Sequence, residues 1–302
     1  MEGKKKILCL NNRIRFGPSG NSDSFYKEGN KSSIEMPKWL YDMGLNAYEY
    51  SLTRGINIKE ETARLIGQQA SKYDIAVSVH APYYINLASP EKEKAEKSIQ
   101  YILDSLEVAT WLGANRIVFH PGSCARMSRQ KANENIINML KQLVNQAKDY
   151  LQSGLLLCPE TMGKINQIGT LDEILYFCTL HENIIPTLDF GHIHARGLGA
   201  INSKDDYVKI LDKVENAIGY ERTRNFHSHF SHIEFTERGE KKHWTLSDTE
   251  YGPEFSFLAE VIIERDLTPI IICESRGVMA EDALRLKNIY EEKITLSNNV
   301  NI

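Results

Sequence analysis

One complete strand, helix and strand unit lies in residues 76–120, which read AVSVHAPYYINLASPEKEKAEKSIQYILDSLEVATWLGANRIVFH. Its two ends, Ala76–His80 and Arg116–His120, are short, apolar and rich in β-branched residues, as buried parallel strands are. Between them, Ala95–Leu112 repeats apolar residues at the spacing of one helix face, and Gly113 is typical of a helix end. The stretch predicts two parallel strands joined by a helix.

The same alternation continues along the whole chain. Eight apolar or β-branched runs predict strands at Ile7–Asn11, Ala47–Ser51, Ala76–His80, Arg116–His120, Leu155–Glu160, Ile185–Asp189, His227–Phe235 and Ile270–Glu274. Strands that alternate with helices form a parallel sheet, and eight such units close into a (β/α)8 TIM barrel. The sequence therefore predicts an α/β fold in which residues 1–302 form a single TIM-barrel domain.

Composition and charge exclude several classes of protein. The longest apolar runs are far shorter than the roughly 20 residues of a membrane span, and the basic amino terminus is not followed by a signal-peptide core. We therefore expect a cytoplasmic location without membrane contact. The five cysteines form no C-x-x-C pair, which indicates reduced thiols. A net charge of −4 predicts that any nucleic-acid site is local, and no phosphate-loop or dinucleotide motif indicates a nucleotide cofactor.

Side chains that can bind metals occur at the ends of six successive predicted strands. They are His80, His120, Glu160, Asp189, His229 and Glu274. Barrel strands present their carboxyl ends at one rim, where active sites lie, so these side chains are expected to converge. Unpaired buried carboxylates are costly, and divalent cations remove that cost. The sulfur-free set suits zinc, with manganese or iron as alternatives, and His192 and His243 are predicted to lie nearby.

The motifs around these residues resemble those of a known enzyme family. They are Val79-His80-Ala81-Pro82-Tyr83, Phe119-His120-Pro121-Gly122-Ser123, Glu160-Thr161 and Leu188-Asp189-Phe190-Gly191-His192, followed by His229, His243 and Glu274. In this order they resemble the endonuclease IV family, which comprises zinc-dependent apurinic/apyrimidinic endonucleases built on a TIM barrel. The resemblance runs through most of the chain.

The resemblance implies a three-metal site and a reaction. His80 and His120 would hold one metal, which Glu160 would bridge to a second metal held by Asp189, His229 and Glu274, while His192 and His243 would hold the third. Such enzymes use a metal-activated hydroxide to cleave damaged double-stranded DNA 5′ to an abasic sugar, so the resemblance makes Glu160 central to catalysis. It also places Tyr83 at the abasic pocket. We expect a monomer with two or three zinc ions.

One position departs from the family pattern. The family takes a further ligand for the third metal from an Asp two residues before the loop histidine, and here that position is Lys241. Either the third metal is weak or absent, or a nearby carboxylate such as Glu240 or Asp248 replaces the ligand, or Lys241 offers its charge to a phosphate. The sequence favours the first and third interpretations over the second, and the third makes Lys241 a candidate catalytic residue.

The expected substrate contacts come from a long segment after the first predicted strand. Asn12–Ser33 has the composition of an irregular loop and carries Arg13 and Arg15. A long loop in a compact domain is usually functional or disordered, and we expect this one on the active-site face, with both arginines binding substrate. The loop after the second strand, residues 52–57, is shorter than the DNA-binding loops of the family.

Two other functions remain open at this point. A metal-dependent sugar isomerase or epimerase on the same barrel would also collect His, Glu and Asp at strand ends, although it needs fewer metals. A non-catalytic DNA- or metal-binding relative is the other alternative, since the change at Lys241 could have removed activity. The additional pair His192 and His243 favours the nuclease.

Overall fold

The computed structural model describes residues 12–52 and 54–300, with side chains through residue 297. Within these residues, eight parallel strands form the central barrel. They are β1 (Arg15–Pro18), β2 (Ala47–Ser51), β3 (Ala76–His80), β4 (Arg116–Phe119), β5 (Leu156–Pro159), β6 (Thr187–Asp189), β7 (His227–Phe230) and β8 (Ile270–Cys273). The predicted α/β class and strand alternation are confirmed.

Backbone pairing closes the strands into a ring. One set pairs in the order β1, β8, β7, β6 and the other in the order β2, β3, β4, β5. The parallel bridge between Ser19 and Glu49 joins β1 to β2, and the bridge between Glu160 and Thr187 joins β5 to β6. The structure is therefore a TIM barrel, and the carboxyl ends of all eight strands lie at one rim.

Helices surround the barrel, and further short strands lie outside it. The helices are α1 (Asp23–Lys27), α2 (Met36–Asp42), α3 (Glu60–Lys72), α4 (Lys92–Leu112), α5 (Arg129–Gln146), α6 (Lys148–Gln152), α7 (Leu171–Cys178), α8 (Phe190–Arg196), α9 (Lys204–Ile218), α10 (Tyr220–Arg224), α11 (Phe255–Glu264) and α12 (Met279–Val300), with a 3-10 turn at Ser33–Glu35. Strands His232–Thr236 and Gly239–Trp244 form a hairpin, and Gly122–Ser123 pairs with Gln167–Ile168. In the described part of the chain, none of the helices has the length and apolar character needed to cross a membrane.

The apolar core is divided by the barrel wall. The large cluster packs between strands and helices, and includes Phe16, Tyr48 and Phe230. Two small clusters are separate from it and alternate with these residues along the strands: Ala47 with Ile270 and Ile272, and Val118 with Leu156, Cys158 and Ile185. Since side chains alternate along a strand, these small clusters fill the barrel interior.

The first barrel strand differs from the prediction. Residues 7–11, the predicted first strand, lie outside the described residues, and β1 occupies the place between β8 and β2. The interpretation of Asn12–Ser33 as an irregular loop is therefore wrong, since it contains β1 and α1. Polar and glycine residues concealed the strand. Gly17 is needed there, because a Cβ at this position would lie 1.8 Å from the carbonyl oxygen of Ala47 on β2.

The predicted strand His227–Phe235 is also corrected. It divides at Ser231 into β7, which belongs to the barrel, and His232–Thr236, which belongs to the hairpin. Both halves have strand-like residues, so the sequence pattern alone does not mark where the chain leaves the barrel.

Candidate metal centre

The side chains at the rim belong to the rows that point into the barrel. Along β4 the interior row contains Arg116, Val118 and then His120, and along β5 it contains Leu156, Cys158 and then Glu160. Because side chains alternate between the two faces of a strand, His120 and Glu160 are the next inward-pointing residues after Val118 and Cys158. They therefore lie at the carboxyl end of the barrel interior. The predicted convergence at the carboxyl rim follows from that geometry.

The first group of ligands is formed by β3, β4 and β5. His80 Nε2 lies 3.3 Å from Glu160 Oε2, and His120 Nε2 lies 3.2 Å from the same oxygen. His80 and Glu160 are buried, while His120 is partly exposed. The three ligand atoms lie within 4.8 Å of one another, which is close enough for a single metal ion.

The second group shares Glu160 with the first. His229 Nδ1 lies 3.3 Å from Glu160 Oε1 and 3.5 Å from Glu274 Oε1, and Asp189 completes the group. Asp189 Oδ1 caps the start of α8 by accepting a hydrogen bond from the backbone N–H of His192. Among the described residues, Asp189 Oδ2 is buried and makes no hydrogen bond, although His192 Nδ1 lies 3.2 Å from it. A buried carboxylate oxygen without a hydrogen bond fits a cation at this point.

The third group forms between α8 and the hairpin. His192 Nε2 lies 3.3 Å from Glu240 Oε2, and His243 Nε2 lies 3.8 Å from Glu240 Oε1. Within the described residues, each of the eight sequence-predicted ligands belongs to one of these three groups. Glu240 joins them as a ninth.

A β-bulge allows Glu240 and His243 to face the same way. Residues three apart on a regular strand point to opposite faces. Here Glu234 pairs with Lys242 and Phe235 pairs with Glu240, so Lys241 is the extra residue of a bulge. Gly163 makes room for the arrangement, because a Cβ on it would lie 2.6 Å from Glu240 Cβ and 2.9 Å from His192 Cδ2.

The second ring nitrogens of these histidines, those not assigned to metal, have oxygen neighbours of their own. His80 Nδ1 lies 2.8 Å from the carbonyl oxygen of Ala81, and His192 Nδ1 lies 2.9 Å from that of Thr161. Each carbonyl can only accept, so each Nδ1 carries the proton and leaves Nε2 free to bind metal. His243 Nδ1 lies 2.8 Å from Ser231 Oγ. Partners of this kind orient metal-binding histidines.

The titratable groups of the cluster shift one another's pKa values. Burial alone would raise the pKa of the Glu160 carboxyl, but the imidazoles of His229 and His120 hold it well below its usual range. Burial raises the pKa of Asp189 to about 6, with Glu274 and Glu160 contributing. Burial opposes a charged His192, yet Asp189 and Glu160 raise its pKa well above the usual value. Metal binding at such a site must displace protons.

The donor set fits divalent metal ions. It offers imidazole nitrogens and carboxylate oxygens in three adjoining groups, and among the described residues Asp189 Oδ2 makes no hydrogen bond. Nitrogen and oxygen donors without sulfur suit zinc, manganese or iron. Glu160 has one oxygen toward the first group and the other toward the second, which is the arrangement of a bridging ligand.

Lys241 does not reach the cluster. The bulge turns its side chain outward, where it is 56% exposed and forms an ion pair with Glu234. The interpretation in which Lys241 leaves the third group without a carboxylate loses its geometric basis, whereas the one in which Lys241 offers its charge to a phosphate stays a prediction. The less favoured one agrees with the structure, because Glu240 occupies the position opposite His192 and His243.

Arg13 and Arg15 lie at the other end of the barrel. Both pair with Asp74, in the turn that precedes β3, and Arg15 pairs in register with Ile270 at the start of β8. The start of a strand is at the amino end of the barrel, so their predicted placement on the rim beside the cluster is wrong. The error follows from placing β1 at residues 7–11 and treating the next segment as its rim loop.

Tyr83 lies at the mouth of the first group. Its ring stacks on His120, with ring centroids 5.2 Å apart and an angle of 25° between the planes. It also meets His80 edge to face at 5.4 Å. Because 57% of Tyr83 is exposed, part of its surface is available beside the ligands.

Two residues around the cluster were not identified from the sequence. Glu49 lies inside the barrel and contacts His229 and His227, and Ser231 contacts His243. A signal for Glu49 was present, because it is a lone carboxylate in the strand sequence AYEYS, in the same row as Ala47. No sequence pattern marks Ser231.

Comparisons with known proteins agree with the fold. A family model described as xylose isomerase-like TIM barrel matches residues 37–293. An uncharacterized protein of Methanocaldococcus jannaschii is 35% identical over 253 residues, which cover 84% of this chain and 90% of that protein. A protein of Mycoplasma genitalium named "Probable endonuclease 4" is 30% identical over 154 residues, which cover 49% of this chain and 50% of the relative. The chain thus spans about half the length of that second relative.

Solved structures resemble the chain over nearly its full length. A D-tagatose 3-epimerase-like protein superposes with a TM-score of 0.72 at 20% identity, covering 96% of this chain and 100% of that one. Endonuclease IV from Thermus thermophilus superposes with a TM-score of 0.67, also at 20% identity, covering 93% and 99%. At this identity the two likenesses show the fold alone.

Proposed function

The chain belongs to the xylose isomerase-like TIM barrel family, and from that premise we propose that it is a metal-dependent phosphodiesterase of the endonuclease IV type. In this proposal it hydrolyses the DNA phosphodiester 5′ to an abasic site, with zinc as the metal. The relatives named "Probable endonuclease 4" support it, as do the motifs that carry His80, His120 and Asp189.

The observation that carries the proposal is the third group of ligands. His192, Glu240 and His243 adjoin the two groups that share Glu160, and His192 Nδ1 lies 3.2 Å from Glu160 Oε1. A site for one ion needs no such extension. Three adjoining groups suit a substrate with several negatively charged oxygens, as a phosphodiester has at its reacting centre.

In this proposal, different residues of the chain have different roles in the reaction. Divalent metals in such a site supply an acidified water molecule and positive charge for a developing phosphoryl oxygen. Glu160 would hold two ligand groups in a fixed relation, and Tyr83 would present its exposed ring beside them to a sugar or base. The carbonyl groups of Ala81 and Thr161 fix the orientation of two imidazoles, which limits rearrangement during the reaction.

A sugar epimerase or isomerase is the second candidate. The group of Glu160, Asp189, His229 and Glu274 could by itself hold one metal with carboxylates on either side, which is what proton transfer at a ketose requires. The epimerase candidate leaves His192, Glu240 and His243 without a role. The third alternative, a non-catalytic relative, was based on Lys241, and Glu240 now supplies the carboxylate that Lys241 lacks.

Incision of a defined oligonucleotide tests the proposal. Protein stripped with a chelator and reloaded with zinc is incubated with a labelled duplex that contains one tetrahydrofuran abasic analogue. We expect a single cut 5′ to the analogue, no cut in the undamaged duplex, and no activity before reloading. Ketohexoses under the same metals provide the matched assay for the epimerase.

Glu160→Gln provides the control within the protein. The variant keeps the shape of the side chain but removes the charge that both groups share, so incision should fall at least about 1,000-fold, since the group touches the reacting centre. The proposal is wrong if zinc-loaded wild-type protein does not cut the abasic duplex, or if ketose turnover is found instead. Tight DNA binding without incision would support the non-catalytic relative.

A further inference from the structure

A buried carboxylate, Glu49, lies inside the barrel, beneath the second group of ligands. Glu49 is in the middle of β2 and is completely buried. Its interior neighbours along the same row and on β8 are apolar, including Ala47 and Ile272. An ionised carboxylate in such surroundings is costly unless it is paired and hydrogen-bonded. Its retention in the interior calls for a specific partner.

The two oxygens of Glu49 have different neighbours. Oε2 accepts a hydrogen bond of 2.8 Å from the Ser78 hydroxyl and lies 2.9 Å from His227 Nε2. Oε1 lies 2.9 Å from His229 Nε2. Among the described residues, Oε1 and His229 Nε2 are both buried without a well-oriented hydrogen bond, and their 2.9 Å contact is an ion-pair approach. Ser78 and His227 thus fix the carboxylate, and Oε1 is left facing His229.

The two ring nitrogens of His229 also have different surroundings. Nδ1 faces the second group, 3.3 Å from Glu160 Oε1, while Nε2 faces Glu49 below the group. A ring nitrogen that binds metal offers its lone pair, so in a neutral imidazole the other nitrogen carries the proton. That N–H needs an acceptor when it is buried.

We propose that Glu49 is a positioning residue for the metal centre, accepting the Nε2–H of His229 and thereby presenting Nδ1 of His229 to the second group. The inference rests on the metal centre of the proposed function and goes beyond it, because it assigns a role to a residue that touches neither metal nor substrate. The pattern is a carboxylate, a histidine and a metal in line, which fixes both the ring and its tautomer.

Glu49 and its histidine neighbours could instead bind a further metal ion. Glu49, His227 and His229 offer ligand atoms within 4.8 Å of one another. Such an ion would take Nε2 of His229 while the second group takes Nδ1, so the imidazole would have to lose both ring protons. Positioning requires only the neutral ring, and the geometry favours it for that reason.

The proposal predicts that replacing Glu49 weakens metal binding, which is tested by measuring metal affinity. Zinc-loaded wild-type protein and Glu49→Leu are titrated against a chromophoric chelator, and the dissociation constants of the bound ions are compared. We expect one ion to bind about 10- to 100-fold more weakly in Glu49→Leu, as is found when outer partners of metal-binding histidines are removed. Glu49→Gln, which keeps the shape, should show a smaller loss in the same ion.

Ser78→Ala is the matched control. It removes one of the two contacts to Oε2 of Glu49, while His227 still holds that oxygen and Oε1 still faces His229. Its metal affinities should stay within about threefold of the wild-type values, since it lies outside the line of contacts to the metal. Equal losses in Ser78→Ala and Glu49→Leu would assign the effect to general loosening of the barrel and overturn the proposal.

Histidine NMR on the wild-type protein tests the proton directly and does not depend on a variant that folds. In zinc-loaded protein with ¹⁵N-labelled histidine, His229 should show a protonated Nε2 and a metal-bound Nδ1. An unprotonated Nε2, a zinc count that falls by one whole ion in Glu49→Leu from a wild-type value above three, or unchanged affinities in a folded Glu49→Leu would each refute the proposal. None of these readouts uses DNA, so failure of the nuclease assay would leave them interpretable.

Discussion

At the scale of single residues, Glu240 and Lys241 show how neighbours in sequence acquire different roles. Glu240 is 13% exposed and lies between two imidazoles, whereas Lys241 is 56% exposed and pairs with Glu234. Lys241 stands where the endonuclease IV pattern has an aspartate, but this difference did not determine whether the third group has a carboxylate. The bulge determines that, because it changes which residues share a face.

The assignment of Glu240 predicts the metal content of two adjacent variants. Glu240→Ala should lose one metal ion per chain, because His192 and His243 alone are a weak site for a divalent ion. Lys241→Ala should keep the wild-type content. Elemental analysis after dialysis against metal-free buffer gives both counts, and equal counts in the two variants would contradict the assignment.

At the scale of elements, glycines and caps place the strands and helices that hold the site. Gly17 permits β1 to lie against β2, and Asp189 starts α8 while pointing its second oxygen at the metal groups. Glu173 starts α7 in a capping box with Thr170 and also accepts hydrogen bonds from Arg129 and Asn133. The sequence marks such residues as starts or ends of helices and strands, but it does not show which residues they contact in space.

Substitution of Gly17 tests the seam between β1 and β2. A methyl group in Gly17→Ala would meet the backbone of Ala47, which cannot move without opening the barrel, so the free energy of unfolding should fall by about 3 kcal/mol or more. Gly113→Ala is the matched control. It has open space around the position but a φ of 67°, and should cost only about 1 kcal/mol. Urea unfolding followed by circular dichroism compares the two, and similar losses would be evidence against the close approach.

The start of α7 predicts a pH-dependent contribution to stability. Burial would raise the pKa of Glu173, but hydrogen bonds from Arg129, Asn133 and two backbone amides lower it from 4.5 to about 2. A lowered pKa stabilises the fold above the unfolded value of 4.5, and that stabilisation is lost as the pH falls toward 2. Glu173→Gln should therefore be less stable by about 1 to 2 kcal/mol at neutral pH, after allowance for partial exposure.

The difference should decrease at acid pH. Unfolding of wild type and Glu173→Gln is measured by urea titration at pH 7 and at successive values below 4.5, within the range where both proteins fold. A difference that stays constant as the pH falls would show that the carboxylate charge is not its source.

At the scale of the whole molecule, the candidate metal centre joins six of the eight described barrel strands. The ligands come from β3 through β8 or the segments that follow them, and from α8 and the hairpin. Without metal, the negative charge of the buried carboxylates must be offset by protons, bound to the carboxylates or to the neighbouring imidazoles, which is a weaker arrangement. Metal binding is thus expected to be linked to global stability.

Removal of metal should lower the melting temperature. A ligand at about 1,000 times its dissociation constant stabilises the folded state by about 4 kcal/mol, which for a chain of this size is a shift of about 8 °C. Differential scanning calorimetry of chelator-treated and zinc-reloaded protein measures it. An unchanged melting temperature after verified removal of the metal would argue against a shared structural role for the three groups.

The sequence by itself determined the barrel class, the starts of seven of its strands to within a few residues, and the eight side chains that converge at its rim as candidate ligands. It could do so because hydrophobic alternation and the two-residue period of strands are local properties that any chain of this pattern must express. His80, Asp189 and Glu274 are examples, since each stands at or just after the end of a readable strand.

Only the tertiary structure decided the position of β1, the sides on which Arg13, Arg15 and Lys241 lie, and the contacts of Glu49. Each depends on partners distant in sequence: β1 on the backbone of β2, Arg15 on Asp74, and Glu49 on His227 and His229. The side on which Lys241 lies depends on the β-bulge of which it is itself the extra residue, because that bulge reverses the faces of the strand. A local pattern specifies which residues can bind a metal, but the register between strands specifies which of them meet.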